Sequence, residues 1–359
     1  MDNRYTITHN ILNYIIKFEL SISKIDSILL PNQYYQDIYD KSVASSIDKL
    51  GEFISYPIGY TKSLEIQKGK LVSSSKYRIF TNYRSFYDFL RIYSSSKFIK
   101  PSIDLSTHVN KLLLKRIVDE WELGKLRTFS EKPNEVYDTW YSLRDFYPNL
   151  NPKIHFTDIY NSIVNGKIRI HKLIQLSILL FEYIDKAPYI AANQITALAT
   201  ISLILKEYGY NPKDLISPTI ALESVSEDLK VAFKLSKSKR DMTYFIELFT
   251  YAMYMHAQYV ENQLINLFNN KVSKYSKLDD KLNDRQVKII EYLQVEKKIS
   301  RNEYVKLMGI TFMTAFRDLK ELLDLGYLQQ KGNGRGTYYI LKRSEHEVEE
   351  EEKKLIFGD

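Results

Sequence analysis

Between Asn283 and Leu341 the residues that start and stop helices fall so close together that only three short helices and a hairpin fit. Asn283 precedes a helix running to Tyr292–Leu293. Ser300-Arg-Asn-Glu303 is a capping box, in which the serine bonds the third amide while Glu303 reaches back to the cap. That helix stops at Gly309. Thr311 caps the next, whose apolar positions Phe312, Ala315, Phe316, Leu319, Leu322 and Leu323 are read as one face, ending at Gly326. Tyr327–Gln330 and Thr337–Leu341 read as two short strands around the turn Lys331-Gly-Asn-Gly-Arg-Gly336.

Three helices with a tight turn before the third, then a β-hairpin, is the order of a winged helix-turn-helix module. In such modules the third helix enters the DNA major groove by its N-terminal end. The expected DNA-binding residues are Thr311, Met313, Thr314, Arg317 and Lys320 on that helix, with Lys331 and Arg335 on the wing. They supply hydroxyl and cationic donors for phosphates and base edges. Charge agrees with the placement. Residues 271–343 hold sixteen Lys and Arg against nine Asp and Glu, whereas residues 344–359 hold seven acidic residues and two lysines. Of the total +7, that leaves only +5 for residues 1–270. Against DNA binding, winged helices also act as dimerisation and protein-docking modules, and Asp318, Glu321 and Asp324 interrupt the positive field. The glycine-rich turn is read as the wing and not as a phosphate cradle, because strand lies on both sides of it.

Helical periodicity dominates the chain from Met1 to Asn270. The spacing predicts helices over 8–28, 34–53, 83–93, 105–123, 155–164, 171–184, 192–208, 224–236 and 243–269, with weak strands at 55–60 and 71–80. Seven prolines from Pro101 to Pro218 fall between these segments. The fold class expected is mainly α: an all-helical domain followed by a small α+β winged helix. The boundaries are an N-terminal helical region at 1–84, a helical domain at 85–270, a hinge at 271–282, the winged helix at 283–343 and an acidic, disordered tail at 344–359. Disulfides, thiolate metal sites and cysteine nucleophiles are excluded by the absence of cysteine. No apolar run approaches the ~18 residues of a membrane span, and the start shows no signal-peptide pattern. A cytoplasmic location is the expectation. The twenty-nine tyrosines fit a compositional bias more than a function.

The stretch from His171 through Ala187-Pro-Tyr-Ile-Ala-Ala-Asn-Gln-Ile195 and Leu198 to Gly209-Tyr210 resembles the signature region of Fic (Fido-fold) proteins. That family has a helix, a loop reading H-P-F-x-D-G-N-G-R-x-x-R, and a second helix running toward G-Y. Segments from Ile216 to Phe249 and the terminal winged helix with Thr314-Ala-Phe-Arg-Asp-Leu319 are also similar, so the likeness covers about residues 85–343. It implies transfer of AMP, or another phosphate-containing group, from a nucleotide to a protein hydroxyl. In the family pattern the histidine is the general base, the Gly-Asn-Gly amides and arginine hold phosphates, and the acidic residue supports a divalent metal.

Pro188, Tyr189 and Asn193 keep the pattern, Tyr189 conservatively. Ala187 stands in place of the histidine, Ala191 of the acidic residue, Ala192 and Gln194 of the glycines, and Ile195 and Leu198 of the arginines. Alanine accepts no proton, and loss of a general base costs about 10²–10⁴ in rate. Loss of the anion-binding donors costs at least about 10²–10³, and the two do not simply add. None of the six histidines replaces the missing base by position; His171 lies about four turns away along the preceding helix. Asp185 and Lys186 are read as a solvated helix end, Glu182 as structural, and Ile195, Leu198, Ile201, Leu203 and Leu205 as core. The family's inhibitory S-x-x-x-E-G motif has only the shadow Ser46-Ile-Asp-Lys-Leu50-Gly51. The expectation is a pseudoenzyme with no catalytic or metal-binding residue and no cofactor. DNA is its expected partner, a homodimer its expected state and the helical domain a possible protein-docking scaffold. The alternatives are a diverged adenylyltransferase, which needs ATP and Mg²⁺, and a docking module that binds no DNA.

Overall fold

The computed structural model describes residues 4–28, 32–70, 74–93, 102–128, 131–134, 137–140, 150–164, 170–271 and 282–342. The residues of the expected hinge from 272 to 281, Arg343 and the acidic tail lie outside them. Two compact units divide the chain: Met1–Asp26 with Asp37–Asn262, and Ser27–Gln36 with Gln263–Asp359.

The helices of the chain before residue 272 are α1 (His9–Ser27), α2 (Asn32–Phe53), α3 (Tyr60–Gln67), α4 (Arg78–Tyr93), α5 (Ile103–Leu114), α6 (Pro152–Val164), α7 (Lys172–Lys186), α8 (Asn193–Glu207), α9 (Pro218–Glu223), α10 (Ser226–Lys239) and α11 (Thr243–Lys271). At the centre α7 packs on α8, and α8 on α4 and α5. Every residue of α8 from Asn193 to Leu205 is buried, as expected of a helix apolar on nearly all sides. Ile195, Leu198, Ile201, Leu203 and Leu205 all lie in this core. Several tyrosines line the same centre. Tyr83, Tyr183 and Tyr189 are fully enclosed, and each hydroxyl reaches a serine or threonine partner, as buried phenols require.

No strand forms at 55–60 or in the described part of 71–80. Residues 54–59 are turn and coil leading into α3, and the described part of the second segment is a 3₁₀ turn at Ser75–Tyr77 running into α4. Pro57 has no N–H to donate to a ladder. Ile79 and Phe80 instead join Tyr83, Phe86, Tyr87 and Leu90 in the buried helical stripe of α4. The helix expected over 105–123 ends at Leu114, where Asn82 Nδ2 donates to the carbonyls of Leu113 and Lys115 at 2.8 and 2.9 Å. An outside donor there satisfies carbonyls that the helix itself leaves free. The helix expected over 224–236 is α10, which begins at Ser226, and a short helix that the spacing did not predict precedes it: Ser217 caps α9 with Pro218 in its first turn.

The second unit contains α12 (Asp284–Glu296), α13 (Arg301–Met308), α14 (Phe312–Asp324), β1 (Leu328–Lys331) and β2 (Tyr338–Leu341). Capping boxes start α12 at Asn283 with Gln286 and α13 at Ser300 with Glu303, and Thr311 caps α14 by accepting from the Thr314 amide. Gly309 ends α13 in the left-handed conformation. The strands pair antiparallel with Leu328 opposite Leu341 and Lys331 opposite Tyr338. Ile299 adds a bridge to Tyr339 on the far side of β2. Gly332 holds the wing turn at φ +74°, and a Cβ there would lie 2.3 Å from the Gly336 carbonyl oxygen, so no other residue fits without moving the turn.

Candidate functional site

The loop between α7 and α8 carries the positions that the resemblance makes functional. Its ends are two alanines in left-handed backbone, Ala187 at φ 42° and Ala192 at φ 56°. L-residues adopt this region at a cost, so surrounding contacts must hold it. Asn193 supplies one clamp: its Oδ1 accepts from the Tyr189 amide at 2.8 Å, and its Nδ2 donates to the Tyr189 carbonyl at 2.9 Å. Asn110 supplies another, donating to the Ala191 carbonyl and to Thr196 Oγ1 while accepting from the Gly124 amide. The Tyr189 hydroxyl donates to Ser106 Oγ at 3.0 Å, and burial pushes its pKa up to about 12.

A stretch of the same unit lies against this loop like a short strand. Leu126 and Tyr189 form an antiparallel bridge, the Arg127 amide donates to Pro188, and the Ile190 amide donates to Lys125. The buried Arg127 guanidinium caps the end of α7, with Nε on the Ala187 carbonyl at 2.6 Å and Nη2 on the Lys186 carbonyl at 2.5 Å. Cations suit helix C-termini, where carbonyl dipoles converge. Further on, Gln194 Oε1 accepts from the amide and hydroxyl of Thr139.

Asp185 and Lys186 are not a solvated helix end. Both side chains are only 1% exposed; Asp185 Oδ2 meets Lys186 Nζ at 2.5 Å and Oδ1 meets Lys237 Nζ at 3.0 Å. Charges taken out of water persist only when paired, and Lys237 reaches in from α10, far along the sequence. Glu182 is likewise buried and meets His155 Nε2 at 3.0 Å. His171 caps α7 and contacts Glu19, which also accepts from the Tyr210 hydroxyl.

Ala187, Ala191, Ala192, Ile195 and Leu198 have no measurable exposure and carry no base, carboxylate or cation. Among the described residues no three His, Asp or Glu side chains converge as metal donors.

The second candidate surface is on α14. Ala315, Leu319 and Leu322 face the small core formed with Ile289, Ile290, Leu293, Ile299, Tyr304, Leu328 and Tyr339. Phe312 and Phe316, expected on that face, are instead 58% and 42% exposed, beside Met313 at 64%. At about 100° per residue Phe316 falls at the edge of the core stripe, whereas Phe312 shares the side of Leu319 and is exposed in the first turn, ahead of the first core residue Ala315. Thr311, Arg317 and Lys320 are exposed, Thr314 is half-buried, and Lys331 is exposed on the wing. The Arg335 side chain lies outside the described residues.

Asp318 does not interrupt a positive surface, because it is buried. It accepts from Arg285 Nε at 2.8 Å, Arg285 Nη2 at 3.0 Å and the Tyr304 hydroxyl at 3.1 Å. Burial pushes its carboxyl up, the bonds from Arg285 and Tyr304 pull it down further, and the net position is below the usual carboxylate range. Glu321 is also occupied, accepting from Gln286 Nε2 at 2.7 Å. Of the three acidic residues on this helix only Asp318 is withdrawn from the surface; Glu321 and Asp324 are exposed, beside Arg317 and Lys320.

Arg127 and Lys237 are the residues that sequence reasoning missed. Both act through contacts with partners far away in sequence, and neither sits in a motif.

Residues 285–337 match the DeoR-like helix-turn-helix domain. The chain is similar in structure to a Fic family protein from Desulfovibrio desulfuricans G20, with 14% identity and a TM-score of 0.54 over 95% of this chain and 98% of that one. A Fic domain containing signaling protein from Bacteroides thetaiotaomicron VPI-5482 aligns at 14% identity and TM-score 0.44, over 72% of this chain and 94% of that one. No curated protein sequence matches. The chain thus has a Fic-like helical fold followed by a DeoR-like helix-turn-helix domain. Among the described residues no helix is long and apolar enough to cross a membrane.

Proposed function

We propose that the protein is a DNA-binding regulator in which the Fic-like unit has lost nucleotide transfer and serves as a scaffold. The observation that carries this reading is a contrast within one chain. The loop that would hold a nucleotide is alanine-lined, uncharged and buried, while the helix that would meet DNA turns Arg317 and Lys320 outward and holds Asp318 inward against Arg285. The match of residues 285–337 to a DeoR-like helix-turn-helix domain supports the same reading. On it the protein needs no cofactor. The exposed row Leu12, Ile16 and Leu20 along α1 supports a role of the helical unit in self-association as a homodimer.

Titration of the purified protein against random-sequence duplexes over a salt series tests the reading. Binding is expected to weaken with salt, and Arg317→Ala, Lys320→Ala and Lys331→Ala are each expected to lower the log–log slope by about 0.9 if the residue contacts a phosphate. No affinity for any duplex at about 50 mM salt removes the DNA reading, since phosphate contacts are strongest there. Incubation with labelled ATP and Mg²⁺ is the companion arm. Self-modification above background would restore the adenylyltransferase alternative, and salt-independent capture of a protein would favour the docking alternative.

A further inference from the structure

Resting on that DNA-binding reading, we infer that Phe312 and Met313 are specificity-determining residues that read the 5-methyl groups of thymine in the major groove. Both occupy the first turn of α14, the end of a recognition helix that reaches base edges. Both are more than half exposed, Phe312 at 58% and Met313 at 64%, while Ala315, Leu319 and Leu322 of the same helix are buried in the small core. Large apolar side chains left in water at that point gain nothing in the free protein. They gain once an apolar surface meets them, about 0.8 kcal/mol for each methylene-sized group removed from water.

Charge complementarity selects the partner. Met313, Arg317 and Lys320 succeed one another at i, i+4 and i+7 on the outward face, so the apolar contact is continuous with two cations. A protein-docking patch bordered by these two cations would have to offer carboxylates to them, whereas DNA supplies phosphates along its rim and, in its major groove, the thymine methyl as its apolar base-edge group. The neighbouring Phe316 is held from behind. The Arg301 guanidinium lies 5.0 Å from its ring centroid, a cation–π contact that orients this ring before any partner arrives.

The test uses the full-length protein and duplexes recovered from a random-sequence pool, each resynthesised with deoxyuridine in place of thymidine. The two nucleosides differ by the methyl group alone. The wild-type protein is expected to bind the thymine duplexes more tightly, by about fourfold for each contacted methyl. Phe312→Ala and Met313→Ala are expected to bring that ratio toward one, whereas Lys331→Ala weakens both duplexes equally and leaves the ratio unchanged. Equal wild-type affinity for thymine and uracil duplexes overturns the inference and leaves the DNA reading standing. A pool that yields no bound duplex overturns the DNA reading itself, and the inference with it. Because the two side chains are exposed, their truncation leaves the core intact, and the wild-type ratio alone decides the outcome if a variant misfolds.

Discussion

His256 sits on α11 against the segment leading into α9, and its protonation sets an acid limit on the helical unit. The ring is buried, its Nε2 accepts from the Ser217 amide at 3.0 Å, and the ring also bonds the backbone of Leu215. Accepting at Nε2 requires the neutral ring, since a proton there would face an amide hydrogen. Burial, the larger cause, lowers the pKa from 6.5 to about 4, against a smaller opposing effect of the Leu215 bond. The folded state therefore refuses a proton that the unfolded chain accepts. Stability is full above pH 6.5 and falls as pH drops through the window from 6.5 to 4. At about 1.36 kcal/mol per unit, the loss is about 2 kcal/mol at pH 5 and about 3 kcal/mol at pH 4. Urea unfolding at pH 7 and pH 5, followed by far-ultraviolet circular dichroism, measures it. His256→Gln keeps an acceptor for the Ser217 amide and has no titration. It is expected to lose about 2 kcal/mol less than wild type between the two pH values. An equal loss in both proteins would refute the reasoning, because other titrating groups are common to the two.

Two further predictions concern buried charge. Asp318→Ala leaves the Tyr304 hydroxyl buried without its acceptor and releases Arg285 into solvent. It is expected to lower the stability of the winged-helix unit by about 1–3 kcal/mol, read as a shift in the urea midpoint. Ile195→Arg returns the family's residue to its position, but the site has no exposure. It is expected to destabilise the fold by about 4 kcal/mol or more and to give no ATP binding by calorimetry, because the new cation has no water and no carboxylate partner.

Much of the second unit was legible because its determinants are local. The cap at Thr311, the box of Ser300 with Glu303 and the stop at Gly309 each act within about one helical turn, so spacing alone locates them. The helical character of the chain up to Asn270 followed from periodicity for the same reason. Where a local pattern was short, it misled. The weak strand signal around Pro57 lies in turn and coil, and Ile79 and Phe80 belong to a helical stripe that extends to Leu90.

The Fic-like loop divides differently between the two sources. Its chemistry was readable from identity alone: Ala187 accepts no proton, and Ile195 and Leu198 carry no charge, whatever their surroundings. Its enclosure was not. That Asp185 and Lys186 are sealed in with Lys237, that Arg127 caps α7, and that Asp318 faces inward to Arg285 depend on residues brought together from distant parts of the chain. The sequence by itself determined which groups were available and where helices start and stop, since both are properties of one residue and its near neighbours. Only the tertiary structure decided which charges are paired and which apolar side chains stay in water, because burial belongs to the packed whole and not to any residue within it.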